Sequence, residues 1–196
     1  MNGIATVHAG AVLVGETGVL VRGASGSGKS SLILALLAAR PETAWLVADD
    51  RVALRAAHGR LVAAVPPSIA GLLEIRGVGI VARPFVSPAV VRLVVDLVPR
   101  EAAPRLPSEE EAAAEVLGVH LPRLVLPAAS GDGGLRVLAA VAGLRRETAE
   151  SKASEASCVA ESIGQDTAFG AAGGAGRDRR LAGAAVRRGT GRRHGA

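Results

Sequence analysis

The sequence predicts an α/β fold with a mixed, mainly β central sheet and flanking helices. Three observations carry this expectation. Short apolar runs rich in Val and Leu recur along the chain, most of them bounded by Gly, Pro or charged residues. Two longer segments, 29–40 and 135–146, read instead as helices. A glycine-rich stretch, 23–28, joins one of the apolar runs directly to the first helix.

Taken in order, Ala11–Val14, Val19–Arg22 and Ala44–Ala48 read as strands. Between the last two lies Lys29–Arg40, with Leu32, Ile33, Leu36 and Leu37 at helical spacing and Pro41 as its stop. Strand, glycine loop, helix and strand form one βαβ unit, which implies parallel pairing. Beyond Asp50, strand-like runs cover Arg51–Arg55, Leu61–Val65, Val78–Ala82 and Val90–Val98, the last ending at Pro99. Ser108 followed by Glu109–Glu111 predicts a capped helix start. Leu121–Leu126 predicts a further strand and Leu135–Arg146 a closing helix.

The chain has 196 residues, 49% hydrophobic and 21% charged, enough for one globular domain with a sizeable core, expected over residues 1–147. Aromatics are 2% with no Tyr, so that core must be built from Val, Leu, Ile and Ala. From residue 148 onward Ser, Ala, Gly and Arg dominate and apolar periodicity vanishes. A low-complexity, Arg-rich, disordered tail is expected over 148–196. Seven arginines and one aspartate in 171–196 carry a balance of +6 against +5 for the whole chain, which leaves the first 170 residues at −1. The basicity belongs to the tail, so no specific nucleic-acid partner is expected of the domain, and a polyanion binder would act through the tail alone.

Cys158 is the only cysteine, which excludes an intrachain disulfide and a thiolate-only metal site. No apolar stretch reaches the roughly 18 residues needed to span a bilayer, and Met1–Gly10 lacks a basic segment followed by an apolar one. A soluble cytoplasmic protein without a membrane partner is expected.

Gly23-Ala24-Ser25-Gly26-Ser27-Gly28-Lys29-Ser30 fits the phosphate-binding P-loop pattern G-x-x-x-x-G-K-[ST] throughout. Its context fits too, since it follows a strand and opens a helix. Glycines let the backbone take positive φ and turn successive N–H groups toward an anion at the helix N-terminus. Lys29 would reach the β- and γ-phosphates of ATP and the Ser30 hydroxyl would ligate Mg²⁺. Lys29 and Lys152 are the only lysines in a chain that otherwise uses Arg, so an ammonium here departs from the compositional bias. A P-loop also needs an acid at a neighbouring strand end, and Asp49-Asp50 supplies two. Adjacent side chains on a strand face opposite ways, whereas a turn would let both reach the phosphates. Both therefore stay as candidates.

The segment Leu72-Leu-Glu-Ile-Arg-Gly-Val-Gly-Ile80 breaks an apolar run with Glu74 and Arg76. It closely resembles the signature of the HPr kinase/phosphorylase family. The P-loop GASGSGKS, the VADD strand end and His8-Ala-Gly stand in that family's order, and His8 lies 21 positions before Lys29, a spacing similar to the family's. The resemblance covers about residues 4–145. It implies transfer of the γ-phosphoryl of ATP to a serine of the phosphocarrier HPr, with a reverse phosphorolysis of phosphoserine-HPr in many members. By resemblance, Lys29 binds phosphates, Ser30 and Glu74 hold Mg²⁺, and Asp49-Asp50 contains the residue exchanging the serine proton. Arg76 would support the phosphates, and His8 would approach the nucleophile side. A homo-oligomer, hexameric as is common in the family, is expected.

Three departures stand beside the match. Long members carry an additional N-terminal domain, so this chain looks like a short, single-domain member. The family's later basic loop has no recognisable counterpart in Leu121–Leu138, where Arg123 and Arg136 are candidates by position. Weak or absent phosphorolysis is therefore expected. The tail resembles nothing in the family. Two other functions fit part of the pattern: a P-loop phosphotransferase with a small-molecule acceptor, and a nucleotide-binding regulatory module without transferase activity.

Overall fold

The computed structural model describes residues 4–146 and 149–150, so the expected Arg-rich tail, with Cys158, Lys152 and His194, lies outside the described residues. Among the described residues, no helix is long and apolar enough to cross a membrane.

Eleven strands are described: β1 Ala5–His8, β2 Gly10–Val14, β3 Thr17–Gly23, β4 Ala44–Ala48, β5 Arg51–Ala57, β6 Arg60–Ala64, β7 Leu72–Ile75, β8 Gly79–Ala82, β9 Ala89–Val98, β10 Ala113–Val116 and β11 Val119–Pro127. Helix α1 is Lys29–Ala39, and α2 covers 133–146. One nine-stranded sheet runs β1-β5-β6-β9-β3-β2-β4, with β11 on β9 and β10 on β11; β7 and β8 form a separate hairpin.

The expected βαβ unit differs in detail. β4 does not pair with β3; β2 lies between them, antiparallel to both. The parallel partner of β3 is β9, which is distant in sequence. β2 and β3 form a tight hairpin, and local pairing takes the edge that a crossover strand would have filled. The helix expected after Ser108 is also corrected. Its capping box forms, with Ser108 N–H donating to Glu111 Oε2 (2.9 Å) and Glu111 N–H to Ser108 Oγ (3.2 Å). After that one turn the chain is captured as β10 by pairing with β11, through a turn with Leu117 and Gly118 at φ 51° and 76°. Ladder pairing overrides the helix propensity of Ala112–Ala114. β1 and β10 escaped the sequence reading because four residues of modest apolarity give too short a pattern, and β7 because Glu74 interrupts its apolar run.

Strand β9 organises the sheet. Along one edge it pairs parallel with β3; along the other its first residues pair antiparallel with β6 and its last with β11, parallel. A register shift places Arg92 as an extra residue opposite β3. A one-residue bulge reverses which side chains face which way. Ala89 and Val91 accordingly join one core cluster, whereas Leu93, Val95 and Leu97 join the other. Both helices pack on the second face, with Leu32, Ile33 and Leu36 of α1 and Val137 and Val141 of α2 buried together. Each such side chain contributes about 1.5–3 kcal/mol of burial. Among the described residues, no helix packs on the first face. There β2 touches β5 and β4 touches β6, so the sheet curls and buries Leu20, Val47, Leu54 and Leu61 against itself.

One charged cluster ties three adjacent strands together. Asp96 of β9, 8% exposed, accepts from Arg22 Nε and Nη2 of β3, both at 2.7 Å, and from Arg123 Nε of β11 at 2.6 Å. The register sets Asp96 opposite Arg22 and Val125, so three adjacent strands share this network. Burial pushes the Asp96 carboxyl up, but the hydrogen bonds and charges of the two arginines outweigh it and hold it below the ordinary carboxylate range. This also answers the expectation for Arg123, which is committed to Asp96.

Asp96→Asn should cost on the order of 2–3 kcal/mol, because two arginines would share a site without their counter-charge. Urea unfolding at neutral pH measures it. A depressed carboxyl stabilises the fold above its unfolded value of about 3.8 and loses that contribution as pH falls through the folded value. The wild-type advantage over D96N should therefore shrink below about pH 4.

Candidate functional site

The glycine loop leaves the C-terminal end of β3 and enters α1 as the sequence predicts. Gly28, at φ 96°, occupies the left-handed region at the helix N-cap, and no side chain caps the helix start. The first-turn N–H groups have no intrahelical acceptor, so this end is open to an anion. Gly23 is required for a different reason: a Cβ there would lie 2.6 Å from Ser27 Oγ and 2.8 Å from the Leu97 carbonyl.

The loop borders a cleft of about 330 Å³, within the range of small-ligand sites. Of the loop, Ser25, Gly26, Gly28, Lys29 and Ser30 line it; Gly23, Ala24 and Ser27 do not. Gly23 and Ala24 instead present their carbonyls to Lys29 Nζ, at 3.0 and 2.9 Å. Ser27 is buried, with its hydroxyl unpartnered among the described residues. His8, Asp49, Asp50, Glu74 and Arg76 line the same cleft, so these five candidates outside the loop converge on it.

Lys29 is 6% exposed, and its third acceptor is His8 Nε2 at 2.9 Å. Burial lowers its pKa below the ordinary lysine value, with the charges of Asp49 and Asp50 acting the other way. On the far side of the ring, His8 Nδ1 lies 3.0 Å from Asp50 Oδ1 and 3.1 Å from the Asp50 carbonyl. A protonated Lys29 makes Nε2 the acceptor, which assigns the ring proton to Nδ1 and lets it donate to Asp50. This chain of contacts depends on β1 pairing with β5, which sets His8 opposite Arg51.

The two aspartates separate by environment. Asp49, 5% exposed, accepts from Ser30 Oγ (2.9 and 3.1 Å) and from the Glu74 N–H (3.2 Å). Asp50 is exposed and sits at φ 65°, a left-handed turn residue. That turn brings both carboxylates to the cleft, where continued strand would have sent them to opposite faces.

The donor set suits a nucleotide and a hard divalent ion. Ser30, Asp49 and Glu74 offer oxygen ligands only, and among the described residues no three His, Cys, Asp or Glu side chains converge as a metal cage. Mg²⁺ fits such a site, since it keeps waters and takes phosphate oxygens beside one or two carboxylates. Arg76, at the tip between β7 and β8, reaches the loop: a Cβ on Gly26 would come within 3.8 Å of its Nη2.

One side of the cleft was not visible in the sequence. Ala129, at φ 54°, lines it and donates its N–H to the Ser27 carbonyl at 3.0 Å. The segment after β11 therefore lies against the loop, yet residues 127–134 contain no cation. Its Asp132 is bonded by Ser130 and Arg136, and these bonds lower its carboxyl pKa. Neither Arg123 nor Arg136 lines the cleft.

The pattern of the HPr Serine kinase C-terminal domain matches residues 2–158. The chain belongs to that family. It is 38% identical over 149 residues to the HPr kinase/phosphorylase of Geobacillus thermodenitrificans, covering 70% of this chain and 47% of that protein. The HPr kinase/phosphorylase of Mycoplasma mycoides is 30% identical over 143 residues, covering 67% and 44%. The chain thus spans about half the length of these curated relatives. Among solved structures, the Hpr(Ser) kinase/phosphatase from Coxiella burnetii matches with a TM-score of 0.66 and 26% identity, over 77% of this chain and 96% of that one. As a family member, the chain shares its curled mixed sheet and two helices with that structure.

Proposed function

We propose that residues 1–147 form the catalytic domain of an ATP-dependent serine kinase that phosphorylates HPr, with the Arg-rich segment 148–196 outside it. The observation that carries this reading is the convergence of Lys29, Ser30, Asp49, Asp50, His8, Glu74 and Arg76 on one cleft at an open helix N-terminus.

The loop N–H groups and Lys29 hold the phosphates. Lys29 gives up a neutral carbonyl acceptor for a charged phosphate oxygen, which makes the stronger hydrogen bond. Ser30, Asp49 and Glu74 are the groups that would hold Mg²⁺, which would supply positive charge to the phosphates. Asp49 is fixed in that duty by burial and by its bonds to Ser30 and Glu74. Asp50 is exposed at the mouth and accepts the proton of the acceptor serine, oriented by His8 Nδ1–H. The serine Oγ–P bond forms as the bond to the β,γ-bridging oxygen breaks, and ADP leaves. Arg76 adds charge beside the transferred group, since such chemistry is mostly positioning and neutralisation. The protein acts on HPr in the cytoplasm as a homo-oligomer, hexameric by family resemblance, with no membrane or specific nucleic-acid partner.

Lys29→Ala should lower turnover at least tenfold, because one well-placed charge in a shielded site contributes on the order of a few kcal/mol; near wild-type turnover would remove Lys29 from the mechanism. The aspartates should part company. Asp50→Asn should lower kcat by about a hundredfold or more with Mg-ATP affinity kept, whereas Asp49→Asn should weaken Mg²⁺ dependence and nucleotide affinity together. Equal effects of the two on affinity would overturn the division of roles.

The reverse direction makes a further demand. An attacking inorganic phosphate beside phosphoserine needs additional donors, and residues 127–134 offer no cation. Pyrophosphate release from phosphoserine-HPr with Mg²⁺ and millimolar phosphate should be at least tenfold slower than the forward reaction. Equal rates would show that Arg76 alone suffices.

A further inference from the structure

The sheet half that carries His8 and Asp50 has a solvent face of distinctive charge. In β5, β6 and the start of β9, Val52, Leu54, Leu61, Ala63, Ala89 and Val91 point into the core. Alternation sends Arg51, Arg55 and Arg60 to the opposite face, and Arg92, at the bulge, is exposed as they are. Register makes three of them neighbours, with Arg51 at the cleft end of β5. Arg55 pairs with Val62, Arg60 with Ala57, and Arg92 lies one residue beyond the pair Leu61 and Val91, beside Arg60. Like charges on adjacent strands are unfavourable unless an anion answers them. Among the described residues, none of these four side chains has an ion-pair or hydrogen-bond partner, and β1, β5 and β6 contain no acid at all.

The strip starts at the cleft. Arg51 follows Asp50 directly and stands opposite His8, and Arg55 lies about 13 Å farther along β5. We propose that this face docks the protein acceptor through carboxylates beside its reactive serine, delivering that serine to the His8–Asp50 side of the cleft. The inference rests on the kinase reading above and adds where the acceptor binds. A protein surface fits better than a nucleic acid, because Thr6, Ala53 and Val62 interleave the arginines and β1, β5 and β6 hold no Phe, Tyr or Trp for base stacking. Contact with the nucleophile side of the cleft is what an acceptor requires and what a polyanion does not.

The test uses the full chain with the host's HPr, reading binding by calorimetry and phosphate transfer by mass spectrometry. R55E/R60E should raise the KM for HPr at least tenfold, with kcat at saturation and ATP affinity within about twofold of wild type. R55K/R60K keeps the charge and should stay near wild type. Added salt should weaken HPr binding by the wild type and leave R55E/R60E little changed. Wild-type KM in R55E/R60E overturns the docking face, as does failure of the wild type to bind HPr. Binding that falls in the variant while even the wild type transfers no phosphate supports the face and overturns the kinase reading instead. A DNA duplex bound as tightly as HPr, with the same loss in the variant, overturns the assignment to a protein acceptor.

Discussion

Strand β9 is paired along both edges, and three of the lines of chain that reach the cleft hang on it. β3 delivers the glycine loop from one edge, and β11 delivers Ala129 from the other. Through β6 and then β5, the same strand fixes the turn that carries Asp50, and β1 with His8 is added to β5. The Arg22–Asp96–Arg123 network lies across β3, β9 and β11, near the C-terminal ends of β3 and β9 and at the middle of β11. A buried carboxylate with two guanidinium partners is costly to disturb from either side, so it fixes the relative positions of the strand ends.

Within the cleft, neighbouring residues of one type are separated by backbone conformation rather than by sequence. Asp49, the first residue after β4, is buried with its carboxylate on Ser30, while Asp50 takes the left-handed turn and faces solvent and His8. One carboxylate is desolvated and satisfied by fixed donors; its neighbour keeps free lone pairs at the mouth. That division gives adjacent groups different proposed duties, one toward a metal and one toward a proton, without any difference in their chemistry.

The charges outside the cleft follow the same logic of placement. The first 170 residues are close to neutral in sum, yet four arginines without an ion-pair partner among the described residues gather on one sheet face, on strands β5 and β6 that contain no acid and at the bulge of β9. Net charge alone gave no hint of this, because a two-residue period and three strand registers decide which side chains become neighbours.

By itself the sequence determined the phosphate loop, the helix it opens, most of the strands and the charged and histidine side chains that meet in the cleft, though not the Ala129 side of it. These are local matters: a glycine pattern, apolar periodicity and a strand end followed by acids are written within a few residues of one another. Tertiary structure decided the rest. The parallel partner of β3 lies about seventy residues away in β9, and the partner of His8 is 42 residues away at Asp50. The capping box at Ser108 is correct locally and still fails to make a helix, because β11 offers that segment a better set of backbone partners. The role of Arg123, the turn that splits the aspartates and the arginine strip all depend on strand register. Register is set by the buried faces of several strands at once, and no single stretch of sequence contains that information.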